Sequence, residues 1–464
     1  MKNHKIYMRS LLQTSLGRSF YEAGQKLSEF YISSPDRTEQ FISQSVADVI
    51  GPTLVSYCLW VLRKAQELNI HNLYFLARDG KILMEICEIL KEKYNLNINC
   101  KYLYVSRYSL RKALFSIDSD ESIRYICRNS ISMTPALIMQ RSGLNMAEQQ
   151  QILLELGYKS KIEQDTVLAQ KELEVLYFKL KKSDLFCSSM QKMSDAYNST
   201  IFQYFQQQGL AEEPLIAIVD SGWTGSIQRC IRQILTYNNI LTPISGFYFG
   251  LQAAPRKEDG VYNWFYFGPK DHYEYIHFNN NLFECWCMAD HGMTLGYTKD
   301  DQDKVFPILN KYIPQWHGAA QAEMLKKYAL LFTSQRTSFE SIPLSQLPTL
   351  IRPLLIRFMT HPTPMEAKIY GSIPFCDDTT EAYLHPLAAP LSALDLCKNL
   401  TLVKVFCKIL NPLFQITIRE SGWREGTIAN LPFPANLLMY TDSQLSYFVK
   451  ILAYKFSFLW RSPI

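Results

Sequence analysis

Three stretches of the 464-residue chain set charged and hydroxyl groups at the ends of apolar runs, two of them beside glycine. The first, LYFLARDG, closes on Arg78, Asp79 and Gly80; the second, LYVSR, closes on Ser106 and Arg107. The third, IAIVDSGWTGS, carries Asp220, Ser221, Gly222, Trp223, Thr224, Gly225 and Ser226. Gly222 and Gly225 free the backbone to take unusual dihedrals and to approach a ligand closely. Thr224 and Ser226 add hydroxyls, and the amides that open the following helix face the same space. That combination suits a phosphate, because uncapped amides and the helix dipole favour an anion. It is neither a Walker A loop, which needs a lysine and a longer spacer, nor GxGxxG. A pyrophosphate at the first stretch would need a cation, a close backbone and often magnesium. Arg78 offers the charge, Gly80 the approach, Asp79 a metal or hydroxyl contact, and Arg107 a second cation. The plainer alternatives are a tight turn with an N-cap serine in the third stretch and an Arg–Asp ion pair closing a sheet edge in the first.

The elements that must position these groups follow from periodicity. Residues from about 36 to 69 read as helical, with Leu54, Val55, Cys58, Leu59, Leu62, Ala65 and Leu68 at helical spacing before NIHN stops the run. LYFLA reads as a buried strand, GKILMEICEILKEKY as an amphipathic helix, and CKYLYVSR as a second strand. Strand, helix, strand at this spacing predicts a parallel βαβ unit. From about 110 to 210 the chain turns polar and helical, as an inserted subdomain or cap would. PLIAIVDSGWTGSIQRCIRQIL repeats the strand–loop–helix logic, and ISGFYFGLQ and VYNWFYFGP read as two further strands. After about residue 300 helices return, broken by prolines at HPTP and LHPLAAPLS. The expected fold class is α/β: a parallel-sheet core over 36–300 with a helical insertion at about 110–210, preceded by a 1–35 segment and followed by a helical 301–464 region. Ligands of open parallel sheets bind beyond the carboxyl ends of the strands, where all three stretches fall.

Composition bounds the class of protein. Hydrophobic residues at 47% and charged residues at 20% describe a folded globular chain. A net charge of +5 is small for this length and gives no argument for nucleic acid. No uninterrupted apolar run reaches the roughly 18 residues of a membrane span, and the N-terminus lacks a signal-peptide core. Eleven scattered cysteines without a CxxC pair fit reduced thiols, so the expected location is the cytoplasm.

Taken together, GPTLVSYCLWVLRKAQELNIHNLYFLARDG, LYVSR, VDSGWTGSIQ, NLFECWCMADHGMTLGY and PFCDDT, from about residue 40 to 385, resemble the glycan phosphoribosyltransferases of bacterial surface-polysaccharide clusters. These domains are often fused behind a haloacid-dehalogenase-type phosphatase. The resemblance implies a divergent phosphoribosyltransferase core. It also implies transfer of a 5-phosphoribosyl group from phosphoribosyl pyrophosphate to a hydroxyl of a glycan acceptor, before a phosphatase removes the 5-phosphate. On it, Arg78, Gly80 and Arg107 hold pyrophosphate, Asp220 the ribose hydroxyls, and Thr224, Gly225 and Ser226 the 5-phosphate. Ser221, Gly222, Trp223 and Gln228 shape the donor pocket. Asp79 is the preferred magnesium contact or general base, and Glu284 the alternative base or else a capping carboxylate. IAIVDSGWTGS also resembles the general phosphoribosyltransferase signature, in which the acid of the loop is one of an adjacent pair, whereas here Asp220 stands alone. The Asp-x-Asp element of a dehalogenase-type phosphatase is also missing, so the phosphatase is expected to be a separate protein. The rival readings are a dehalogenase-like phosphatase and a non-catalytic scaffold of polysaccharide assembly.

Two further clusters carry weaker signals. Asp271, His272, His277, Glu284, Asp290 and His291 lie close in sequence without zinc-ligand spacing, and Asp377–Asp378 reads as a helix cap. The C-terminal SQLSYFVKILAYKFSFLWRSPI, with Lys450, Lys455 and Arg461, reads as a helix docked on the core or as a peripheral contact with the inner membrane face.

Overall fold

A computed structural model describes residues 11–128, 133–253, 256–312, 317–334, 338–376, 384–414 and 418–457. Helix α1 (Ser15–Tyr31) is capped by Thr14, and α2 (Arg37–Ser45) passes through a π turn at Val46–Ile50 into α3 (Gly51–Glu67). By length and composition the run Arg37–Glu67 could cross a membrane, yet its apolar window lies wholly inside the fold. Then come β1 (Asn72–Leu76), α4 (Gly80–Tyr94) and β2 (Asn99–Leu103), the βαβ unit the sequence predicts. The helical stretch follows: α5 (Arg107–Arg111), α6 (Ser119–Ile126), α7 (Pro135–Ser142), α8 (Met146–Glu155), α9 (Lys161–Asp165), α10 (Gln170–Lys182) and α11 (Asp184–Gln207). The chain re-enters the sheet as β3 (Ile216–Trp223), α12 (Ser226–Tyr237), β4 (Ile244–Leu251) and β5 (Val261–Phe267).

All five strands are parallel, in the order β2-β1-β3-β4-β5. The α/β class is therefore what the chain adopts. Buried on both faces, the strands are near-continuous apolar runs, and alternation sends their side chains into two layers. Leu73, Phe75, Ala217 and Val219 pack with α1, α3 and α4 on one face. Tyr74, Leu76, Ile216 and Ile218 pack with α11 and α12 on the other. Helices α4 and α12 thus cover opposite faces. Strand order reverses between β1 and β3, which opens a crevice at their carboxyl ends. The insertion has an apolar core of its own, centred on Ile138, Ile152, Leu180 and Phe186.

Beyond the sheet lie α13 (His272–Ile276), α14 (Asn280–Trp286), and an antiparallel hairpin of β6 (Thr294–Lys299) and β7 (Val305–Leu309). The hairpin corrects the expectation of helix alone near and after residue 300. Then follow α15 (Gly318–Thr333), α16 (Leu347–Thr360), α17 (Pro364–Gly371), α18 (Ala393–Asn399), α19 (Thr401–Phe414), α20 (Arg424–Ala429) and α21 (Ala435–Ser457). Residues of α1, α15 and α16 share one apolar layer with α3 and α4, so packing is continuous across residues 35 and 300. The terminal helix α21 packs Tyr447 against His277 and stacks Tyr454 on His272, at 4.7 and 4.5 Å between ring centroids. It leaves Leu437, Leu438, Leu445 and Phe448 exposed.

Candidate active site

At the carboxyl end of β1, Arg78 and Asp79 turn into a cavity of about 430 Å³. Gly80 does not follow them. A Cβ there would lie 2.8 Å from the Phe75 carbonyl carbon, so glycine is needed for α4 to sit against its own strand. Its expected role in approaching pyrophosphate is corrected to packing. Asp79 occupies the N-cap position of α4 without capping it, so the first amides of α4 have no side-chain acceptor from that position.

The β3 end is built differently. Gly222 has φ +112°, and a Cβ on it would meet the Gly250 carbonyl oxygen at 2.1 Å. Trp223 follows at φ 84° and Gly225 at φ 62°, which brings Thr224 and Ser226 to the cavity wall. Gly225 itself packs on the Tyr262 ring, away from the cavity. Ser226 is the first residue of α12 and the cap position is Gly225, which has no side chain to accept a hydrogen bond. The N-cap serine alternative is therefore not what forms. Gln228 points away from the cavity: its Nε2 donates to the Asp259 carbonyl at 2.9 Å, and its Oε1 accepts from Tyr248 at 2.8 Å. It is fully buried and ties α12 to β4 and β5, so its donor-pocket role is corrected to a structural one.

Ser106 and Arg107 are also displaced from their expected place. The strand ends at Leu103, and Ser106 caps α5, accepting from the Ser109 amide at 2.9 Å. Arg107 opens that short helix and still lines the cavity, exposed. Glu284 arrives from α14, with Asn280 Nδ2 donating to its Oε1 at 2.6 Å.

The carboxyl groups of Asp79, Asp220 and Glu284 lie close enough to perturb one another. Burial, with Asp79 and Glu284 as neighbours, pushes Asp220 up to about 8. Burial and Asp79 push Glu284 up to about 7, against the opposing pull of Arg107, Asn280 and Arg78. Burial also raises Asp79, although Ser221 Oγ donates to its Oδ2 and Arg78 and Arg107 favour its charge. Asp220 and Glu284 are therefore held well above the ordinary carboxylate range and Asp79 is shifted the same way, the behaviour of carboxyls sharing a desolvated site. Among the described residues no three histidine, cysteine or carboxylate groups converge on a ready-made metal site. The donor set fits a hard cation only as Mg²⁺ often binds, through one or two carboxylates completed by substrate oxygens and water.

Sequence reasoning missed much of the wall. Tyr108, Tyr125, Arg128 and Arg141 come from the helical stretch, Asn280 from α14 and Thr294 from the hairpin. Arg128 and Arg141 read as ordinary surface charges of a polar region, and no local signal marks them. The acidic and histidine cluster separates: Asp271 Oδ2 accepts from the Gly268 amide at 2.7 Å, and His291 meets Tyr102 at 2.8 Å. Asp377 and Asp378 lie outside the described residues. Two other cavities, of about 350 and 480 Å³, sit among the C-terminal helices, away from the strand ends. No protein-family model matches this chain, and no curated protein matches it.

Proposed function

We propose that the chain is a phosphoribosyl-pyrophosphate-dependent glycan phosphoribosyltransferase. The observation that carries this reading is the convergence, in one cavity at the strand-order reversal, of two helix N-termini without side-chain caps, Arg78, Arg107 and three neighbouring carboxyls. Pyrophosphate is taken by Arg78 and Arg107 beside the α4 N-terminus. The 5-phosphate is taken by Thr224, Ser226 and the opening amides of α12. Protonated Asp220 donates a hydrogen bond to a ribose hydroxyl.

The acceptor hydroxyl attacks the anomeric carbon as the bond to the pyrophosphate oxygen breaks. Its proton passes to Glu284, whose pKa near 7 suits a general base at neutral pH. Glu284 is assigned the base role and Asp79, at the N-terminus of α4 beside Arg78, is left to the cation. Asp79 would contact Mg²⁺, which when bound neutralises charge on the departing pyrophosphate. A separate phosphatase then removes the 5-phosphate. The exposed apolar residues of α21 support a peripheral position at the inner membrane face, close to a lipid-linked acceptor. Flotation with anionic vesicles tests that part, and recovery of all the protein below the lipid would remove it.

Calorimetry tests the donor assignment. Phosphoribosyl pyrophosphate with magnesium is expected to bind, and to bind at least about tenfold more weakly to Arg78→Ala and Asp220→Ala. Unchanged binding in both variants would favour a scaffold. Phosphate release from model esters without transfer would favour the phosphatase reading.

A further inference from the structure

The strand order divides the cavity into two unlike sides. Arg78 and Arg107 follow β1 and its edge neighbour β2, and the insertion adds Arg128 and Arg141. The opposite side is lined by Trp223 at the end of β3, Gln252 just past β4, and Asn280, Asn281 and Glu284 of α14. Of these five only Glu284 is ionisable, and each is partly exposed, so a ligand can reach it. One side is thus cationic, and the other is built of amides and an indole.

The amide nitrogens on that side are engaged within the protein. Asn281 Nδ2 donates to the Gly422 carbonyl at 3.1 Å, Asn280 Nδ2 to Glu284 at 2.6 Å, and Gln252 Nε2 to the Tyr275 hydroxyl at 2.5 Å. Their carbonyl oxygens accept from no donor among the described residues. Acceptor oxygens beside a carboxyl group repel a phosphate and take hydrogen bonds from hydroxyls. Trp223 supplies an apolar surface next to them. Its φ of 84° is strained for so bulky a side chain, a conformation found where function holds a residue in place. The Phe267 ring stands nearly perpendicular to the indole at 6.3 Å, and the Tyr275 ring is tilted by 50° at 5.5 Å. Neither is stacked on its face. The Gln252 amide N–H donates to the Trp223 carbonyl at 2.7 Å and ties the two residues together.

We infer that Trp223, Gln252, Asn280 and Asn281 form a platform for a neutral sugar, whose ring packs on the indole and whose hydroxyls donate to the amide oxygens. Trp223 thereby serves the acceptor and not the donor. Asn280 also holds Glu284, so a sugar on the platform lies beside the base. With acceptor oxygens and a carboxyl group as its lining, the platform selects a neutral glycan over an acidic one. The identification of this sugar as the acceptor rests on the transferase reading; recognition of a neutral polyol does not.

The probes are the methyl glycosides of glucose, galactose and mannose and the matching methyl uronides, read by saturation-transfer NMR and by tryptophan emission. At least one neutral glycoside is expected to bind, and its uronide to bind at least about tenfold more weakly. Trp223→Ala should weaken the neutral glycoside about tenfold or more and abolish the emission change. Trp223→Phe should recover part of the binding, and Gln252→Ala should weaken it about threefold to tenfold. Inorganic pyrophosphate with magnesium, titrated by calorimetry, should bind these variants as it binds the wild-type protein. Should Trp223→Ala unfold by circular dichroism, Trp223→Phe and Gln252→Ala carry the comparison. No neutral glycoside bound by the wild-type protein, uronides bound as tightly, or unchanged glycoside binding in the variants would overturn the platform. An equal loss for pyrophosphate would overturn it too and return Trp223 to the donor. If glycoside binding depends on Trp223 but pyrophosphate does not bind, the platform stands and the transferase reading fails.

Discussion

The ends of β1 and β3 carry the same sequence grammar, an apolar strand, an acid, a glycine and a helix, yet they are built for different tasks. At β1 the backbone stays right-handed through Asp79, with φ −58°. Gly80 is there because Phe75 leaves no room for a side chain, and the end presents charge through Arg78 and Asp79. At β3 three residues with positive φ carry the loop outward, and the end presents hydroxyls and open amides. The helices of the insertion show what an ordinary start looks like. Ser106, Asp118, Thr134, Asn145 and Ser160 each accept from the third residue of their own helix. The two helices after β1 and β3 are left open where the cavity lies. Side-chain charge at one end and backbone donors at the other match the two anionic ends proposed for the donor.

The comparison can be broken most severely at the first end. Arg78→Ala is expected to lower kcat/KM for transfer by about a hundredfold to a thousandfold. A loss below tenfold would move the leaving-group site away from β1.

The next largest effects separate the two glycines. Gly222→Ala combines a strained φ with a clash against Gly250 and should cost about 2–5 kcal/mol in chemical denaturation. Gly80→Ala should cost about 1–3 kcal/mol, through packing alone. Loss of donor binding in Gly80→Ala at unchanged stability would restore a ligand role to that glycine.

Gln228→Ala is expected to cost about 1–3 kcal/mol, from buried partners left unpaired, with KM for the donor unchanged in the folded enzyme. A raised KM at unchanged stability would return it to the pocket.

The last effect is read as a slope with pH. Unfolded Asp220 loses its proton near its ordinary value of about 4, and in the fold it keeps that proton up to about 8. The unfolded state therefore binds fewer protons across this window, so the contribution of Asp220 makes stability fall as pH rises from 4 to 8 and stay level above. Asp220→Asn removes this contribution. Its urea midpoint relative to wild type should rise from pH 5 to pH 8, while transfer activity falls. A constant difference across that range would place Asp220 in an ordinary environment.

The sheet was legible because parallel strands buried on both faces are short apolar runs bounded by polar residues. Arg78, Asp79, Asp220 and Thr224 could be found because each stands at the end of such a run. The hairpin Thr294–Leu309 escaped because its strands are short and partly exposed, so alternation carries little contrast. Gly80 and Gln228 were placed on the wrong side because spacing names a residue's neighbours along the chain, not the direction it faces. Arg128 and Arg141 were out of reach for another reason. Each is an ordinary charge in a polar helical stretch, and only tertiary packing brings α6 beside α12.

The most direct test of the central claim is the product formed from phosphoribosyl pyrophosphate, magnesium and a glycan acceptor, read by mass spectrometry. The expected result is an acceptor heavier by one phosphoribosyl group, with pyrophosphate released in equal amount. Release of phosphate or pyrophosphate with the acceptor unchanged would contradict it.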